Sequence, residues 1–163
     1  MAQKIGLVGA ILGGGLIGGA IDISYALGFT YFVRGRPPLP VLKYVASGLF
    51  GPNAMEGGDE MIAAGLVLHF FIVCLMAATF VLVSQKLTFL ARAPFLFGPL
   101  YGVFLYYFMN CITLPLARAR PIPDISHLPM VGTHTDAFIG GLLAHIAVGV
   151  TIALFARAAL PAR

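Results

Sequence analysis

Four long apolar stretches follow one another along the chain, separated by shorter segments that contain the prolines and most of the charges. They cover residues 5–32, 61–83, 95–116 and 137–158. Each is long enough for a helical crossing, which needs roughly 20 apolar residues. The pattern predicts one transmembrane domain over residues 1–163, an all-α bundle of four membrane-spanning helices.

A fifth apolar segment lies between the first two predicted spans. Residues 41–51 (VLKYVASGLFG) are too few to cross a bilayer and too apolar for an ordinary loop. They follow the stretch RGRPPLP at 34–40, whose prolines cannot continue a helix. We therefore expect a short interfacial or re-entrant helix in the first loop.

The two halves of the chain resemble each other around their last spans. Aligning EMIAAGLVLH (60–69) with DAFIGGLLAH (136–145) matches an acid at the start, a glycine in the middle and a histidine at the end. An RxRP turn precedes each of these segments. Two repeated helical hairpins would give this pattern, although glycine-rich and leucine-rich helices also match by chance.

Composition agrees with a membrane protein, since 60% of the 163 residues are hydrophobic and 10% are charged. The net charge of +4 is small and scattered, so no nucleic-acid partner is expected. No nucleophile with its base, phosphate loop or zinc hydrolase motif is present, and this favours a non-catalytic protein.

Lysine and arginine counts tie on the two sides of the membrane; we place both termini in the cytoplasm.

Each predicted span carries one polar residue at a similar depth. With a rise of about 1.5 Å per residue, these residues lie roughly 9 to 15 Å below the end of their helix. Ionisable groups at such depths are costly and are expected to be paired, protonated or in contact with water. The sequence thus predicts a buried polar layer of Asp22, His69, Asn110 and His145.

Glycines stand one turn before each ionisable member of this layer, and others follow a four-residue spacing in the first span. Small residues mark the faces on which membrane helices approach each other, so the polar groups should point into the bundle. A glycine face of this kind can also dock a neighbouring subunit. The predicted packing glycines are Gly9, Gly13, Gly14, Gly15, Gly18, Gly19, Gly65 and Gly141.

Four arginines are placed at the lipid headgroups, where an anionic lipid can bind them: Arg34, Arg36, Arg118 and Arg120.

The polar layer admits several functions. It can fix helix register in a scaffold or accessory subunit, which belongs to a homo-oligomer or a larger membrane complex. His69 and His145 can instead flank one haem b, or bind a divalent metal together with Asp22. Proton or cation transport through Asp22, His69 and His145 is the remaining alternative. We take the scaffold as the expectation and a cofactor or ion site as its alternative.

Three stretches carry a resemblance to known proteins: LKYVASGLFGPNAMEGG (42–58), GLVLHFFIV (65–73) and GPLYGVFLYYFMNCITLPL (98–116). The chain resembles a group of small four-helix bacterial inner-membrane proteins to which no activity is assigned. The resemblance implies a bacterial inner membrane and a four-helix fold. It brings no site residues and no mechanism.

Overall fold

The computed structural model describes residues 5–113 and 135–160, and the regular structure in these ranges is helical. Two of the long helices end in a π turn, which continues the helix with a wider spiral. In chain order the helices are α1 (Leu7–Gly28, continued by a π turn at Phe29–Val33), α2 (Pro40–Phe50), α3 (Asp59–Lys86), α4 (Thr88–Arg92), α5 (Pro94–Phe108, continued by a π turn at Met109–Thr113) and α6 (Thr135–Ala158). A 3-10 turn over Pro52–Met55 lies between α2 and α3.

The ends of the helices follow local chemistry. Pro40 occupies the first turn of α2, where the missing N–H costs no hydrogen bond. Gly51 ends α2 with a φ of 77°, a left-handed conformation that glycine adopts without strain. The first turn of α3 carries Asp59 and Glu60 and its last turn carries Lys86, each charge opposite to the adjacent helix-dipole end.

Four helices are long and apolar enough to cross a membrane: Leu7–Val33, Asp59–Lys86, Pro94–Thr113 and Thr135–Ala158. By length and composition they indicate a multi-pass membrane protein. They match the four predicted stretches to within three residues at every end that the structure describes. Residues 114–116 of the predicted third span lie outside the described residues. The segment predicted as a short helix is α2, and the structure does not show how it lies relative to a membrane.

The four long helices form an incomplete ring in the order α3, α1, α6 and α5. Helix α6 packs along both α1 and α5, and α1 also packs along α3. The ring stays open between α3 and α5, whose backbones approach each other far less than those of the other neighbouring pairs. Helix α2 packs on the outside of α3. The fourth and second spans are therefore diagonal, as sequential helices in a four-helix ring would be.

Two glycine faces of α1 bring α6 and α3 close to its backbone. On one face a Cβ at Gly18 would stand 3.2 Å from Val148 of α6, and Gly13 and Gly14 lie against Phe155 and Ile152. On the other face a Cβ at Gly15 would stand 2.8 Å from the Cα of Cys74 in α3. Gly19, on the same face, lies against the Phe70 ring. Both faces are thus covered within the chain.

A third glycine contact, which the sequence analysis did not single out, joins α5 to α6. A Cβ at Gly98 would stand 2.7 Å from the Cα of Val150, and Gly102 lies against the backbone of His145 and Ile146. Gly149 of α6 faces Gly98 and Gly102 in return. The four-residue spacing of Gly98 and Gly102 was visible in the sequence as a small-xxx-small signal.

The other predicted packing glycines differ in their roles. Gly65 of α3 lies against the carbonyl of Leu42 in α2, and Gly141 of α6 lies against the Tyr106 ring of α5. Gly9 departs from the prediction. It is exposed, and a Cβ there would meet only Ile5 of its own helix, at 3.7 Å.

Gly102→Ala is expected to weaken the bundle. Its Cβ would stand 2.7 Å from the His145 carbonyl carbon, and because this neighbour is backbone it cannot rotate away. Overpacking of this kind costs about 1–3 kcal/mol. Gly9→Ala is the matched control and should leave stability unchanged or slightly raised, because alanine favours a helix. Reversible unfolding of both variants in detergent measures the difference, and equal stabilities would contradict this packing.

Candidate functional site

A cavity of about 320 Å³ lies where α3 and α5 stand apart. Its walls also include residues of α1, α2 and α6, and apolar side chains such as Leu68, Ile72 and Leu105 form most of the lining. This volume is at the lower end of the range for small-molecule pockets.

All four members of the predicted polar layer line this cavity: Asp22, His69, Asn110 and His145. Each comes from a different spanning helix, α1, α3, the π turn after α5, and α6. The structure therefore brings together the residues that the sequence analysis grouped by depth. The hydrogen bonds of these four side chains determine which of their atoms are left to bind a ligand.

His69 ties α3 to α1. Its Nε2–H donates to the carbonyl of Gly19, at 2.9 Å between the heavy atoms. A Cβ at position 19 would stand 3.6 Å from Nε2, an ordinary contact, but only 2.8 Å from the ring of the adjacent Phe70. His69 is 8% exposed. In its neutral form this tautomer leaves Nδ1 as a hydrogen-bond acceptor.

His145 shares one N–H between two acceptors. Its Nδ1–H donates to the Gly141 carbonyl one turn earlier at 3.0 Å, and the Asp22 Oδ1 stands 3.4 Å from the same nitrogen. The shorter distance belongs to the backbone carbonyl, and 3.4 Å is beyond the usual range of N–H···O bonds. Asp22 is thus an incompletely paired carboxylate, facing His145 across the α1 to α6 contact.

Asn110 lies in the π turn that follows α5. Its Nδ2 donates to the Tyr106 carbonyl at 2.8 Å, so the amide is held by its own helix. Met109 and Thr113 of the same π turn also line the cavity. Such turns occur often at functional sites, because the wider spiral changes which side chains face inward.

Tyr25 does not supply the missing partner of Asp22. Its hydroxyl is buried against Gly140 and makes no hydrogen bond to any described residue. The ring packs beside Phe29, with centroids 5.6 Å apart.

Helix α2 supplies a wall of the cavity that the sequence analysis missed. Tyr44, Val45, Gly48 and Leu49 line it from this side. The apolar character of 41–51 signalled a buried face, but the sequence does not tell against which span the helix packs. The contact of Gly65 with Leu42 places α2 beside α3.

The opening between α3 and α5 holds a second, smaller cavity of about 280 Å³, lined by residues such as Thr79, Val83 and Phe97. Tyr101 crosses from α5 to α3 next to it. Its hydroxyl donates to the Met76 carbonyl at 2.8 Å, and its ring packs on Phe80 at 4.9 Å. Met76 also lines the larger cavity, so this bridge stands between the two spaces.

The nitrogens that His69 and His145 have left determine how they could bind the predicted haem or metal. His145 fits an iron or metal ligand, because its Nδ1–H is held by a carbonyl and Nε2 is left to coordinate. In His69 only Nδ1 is left to coordinate, since Nε2 is hydrogen-bonded to the Gly19 carbonyl. In the part of the chain that the structure describes, no three His, Cys, Asp or Glu side chains group closely enough to hold one metal ion.

The predicted headgroup arginines fall into two pairs. Arg34 and Arg36 are exposed just after α1, and the Arg34 guanidinium lies 5.4 Å from the centre of the Phe29 ring. Arg118 and Arg120 lie outside the described residues. Cys74 and Cys111 are free thiols within spanning helices.

Comparison with protein-family models, with curated proteins and with solved structures finds no match to this chain. The resemblance to small bacterial inner-membrane proteins therefore stays a prediction. The function has to be argued from the cavity and its side chains.

His69→Leu is expected to destabilise the bundle by about 0.6–2 kcal/mol, the range for one interhelical hydrogen bond in a membrane protein. The Gly19 carbonyl keeps its bond within α1, so the fold should survive. His69→Gln is the conservative control, because its amide can donate to the same carbonyl. Unfolding in detergent should rank wild type first, Gln second and Leu last; a His69→Leu variant as stable as wild type would contradict the bond's role.

Proposed function

We propose that the protein is a non-catalytic, multi-pass membrane protein that binds a small and largely apolar molecule between α3 and α5. The observation that carries this proposal is the cavity of about 320 Å³, lined by apolar side chains and by one polar group from each spanning helix. A few polar groups set in an apolar wall are the usual composition of a ligand site. A scaffold needs no such space.

The way the helices pack supports this proposal. The glycine contacts hold α1, α3, α5 and α6 in place around the cavity without requiring α3 to meet α5. A pre-formed space lowers the cost of binding, because the protein does not have to open it.

A scaffold or accessory subunit is the second candidate, and the His69 to Gly19 bond favours it because this bond stabilises the bundle without any ligand. Docking through the glycine faces of α1 has less support, since α3 and α6 already cover them. Assembly into a homo-oligomer or larger complex remains part of this candidate. Transport through Asp22, His69 and His145 would use the same cavity, but four spans leave little room for alternating access.

Three finer predictions accompany this proposal. The chain resides in a bacterial inner membrane with both termini in the cytoplasm, α2 is interfacial or re-entrant, and the two halves arose as repeated hairpins. Residues that match between the two halves contact different helices in the structure. Gly65 contacts α2, whereas Gly141 contacts α5, so a duplication would have to be followed by divergence of the packing.

Binding can be tested with octanol as the probe. Methyl NMR of the protein in phosphatidylcholine nanodiscs should show shifts of the Leu68, Ile72 and Leu105 methyls on titration, because these side chains line the cavity. The Leu75 methyls should not shift, since Leu75 is 52% exposed on the outer face of α3. This difference separates binding in the cavity from partitioning of octanol into the bilayer.

Ile72→Trp should abolish the shifts of the remaining cavity methyls, because the indole fills the space. Leu75→Trp is the matched control, one turn away on the outer face, and should leave them unchanged. Octanol that shifts every methyl alike, or cavity methyls that still respond in Ile72→Trp, would refute the proposal. A scaffold without a ligand would then be the better description.

A further inference from the structure

The three nitrogen-bearing side chains of the cavity have one property in common: each directs an N–H group at a backbone carbonyl. His69 Nε2–H donates to Gly19, His145 Nδ1–H to Gly141, and Asn110 Nδ2 to Tyr106. Each neutral imidazole has one N–H only, so its second nitrogen is an acceptor. In both histidines the single N–H is therefore used in a hydrogen bond within the chain, and the second ring nitrogen remains as an acceptor.

Asp22 adds a negative charge to this set of acceptors. Within the described residues, its carboxylate has one ionic contact, with the His145 nitrogen at 3.4 Å, and that nitrogen's proton lies closer to the Gly141 carbonyl. Among the residues that the structure describes, no lysine or arginine lines the cavity. The two hydroxyl side chains in its lining, Tyr44 and Thr113, carry no charge. A carboxylate in an apolar site without a full set of donors is costly.

We infer that the ligand of this cavity is an amphiphile with a protonated amine, whose N–H groups bind Asp22 and the acceptor nitrogen of His145 while its apolar body lies among Leu68, Ile72 and Leu105. This inference rests on the proposed function and names its ligand class. An ammonium group supplies three donors together with one positive charge, and no lysine or arginine among the described lining residues supplies that charge. Bonds from a charged donor to a carboxylate are also stronger than neutral ones.

Other ligand classes fit less well. A carboxylate ligand would meet Asp22 as a like charge and would find no lysine or arginine among the described lining residues. A bare metal ion would need three grouped ligands, which the described residues do not provide. A neutral alcohol can donate one hydrogen bond, but it leaves the charge of Asp22 without a counter-charge.

The test compares octylamine, octanol and octanoate, which share their chain and differ in the head group. Each is titrated by methyl NMR into the protein in phosphatidylcholine nanodiscs, with the Ile72 and Leu105 signals as the readout. Octylamine should bind about tenfold more tightly than octanol, the factor that about 1.4 kcal/mol provides, and octanoate should bind more weakly than octanol. Because this ranking is measured on wild type, it does not depend on any variant folding.

Two variants identify the responsible charge. Asp22→Asn should bring octylamine to within about twofold of octanol when both are measured on the same variant, because the charge that distinguishes the two head groups is removed. Asp136→Asn is the matched control. It removes an exposed acid from the first turn of α6 and should keep the preference for the amine.

The outcomes separate this inference from the proposed function. Equal binding of octylamine and octanol by wild type, with shifts confined to the cavity methyls, would overturn the amine inference and retain the ligand site. A preference for the amine that persists in Asp22→Asn would also overturn the amine inference. No response of the cavity methyls to any probe would refute the site itself.

Discussion

Close approach of helix backbones at glycine is the constraint on which this structure depends. Lipid is as apolar as a leucine side chain, so spanning helices gain little from burying apolar surface and associate through tight packing instead. The glycines of α1 are divided between α6 and α3, and those of α5 face α6. Gly65, the one glycine within α3, faces α2. No glycine contact therefore draws α3 and α5 together, and this absence leaves the opening that contains the cavity.

The same packing explains the state of the polar side chains. In a bilayer the backbone carbonyls of neighbouring helices are the nearest acceptors, and glycine exposes them to side chains. His69 takes the Gly19 carbonyl for this reason. His145 and Asn110 take carbonyls of their own helices. The imidazole N–H groups are therefore used in hydrogen bonds to backbone carbonyls. The Asp22 carboxylate only accepts hydrogen bonds, so a backbone carbonyl cannot be its partner. The polarity of the cavity thus follows from how the bundle is held together.

This arrangement also separates the roles of the two histidines, which the matched sequences around them do not distinguish. His69 is buried and joins two helices, so its replacement acts on stability. His145 is partly buried, stands beside Asp22 and Tyr106, and retains an acceptor nitrogen. A haem or metal bound by both would take Nε2 of His145 and Nδ1 of His69, because Nε2 of His69 is bonded to the Gly19 carbonyl. The two histidines therefore do not offer equivalent ligand atoms, although the sequences around them match.

The sequence by itself determined the four spans, the short helix α2 and the residues of the polar layer, because these depend on local properties: apolar length, glycine and proline at helix ends, and distance along a helix axis. It also contained the spacing of Gly98 and Gly102. Tertiary structure alone decided which helix each glycine meets, why Gly9 meets none, and how α2 forms a wall with Tyr44 and Leu49. It also decided which nitrogen of each histidine carries the proton. Those choices depend on contacts between residues distant in the chain, and helical periodicity specifies a face without specifying its partner.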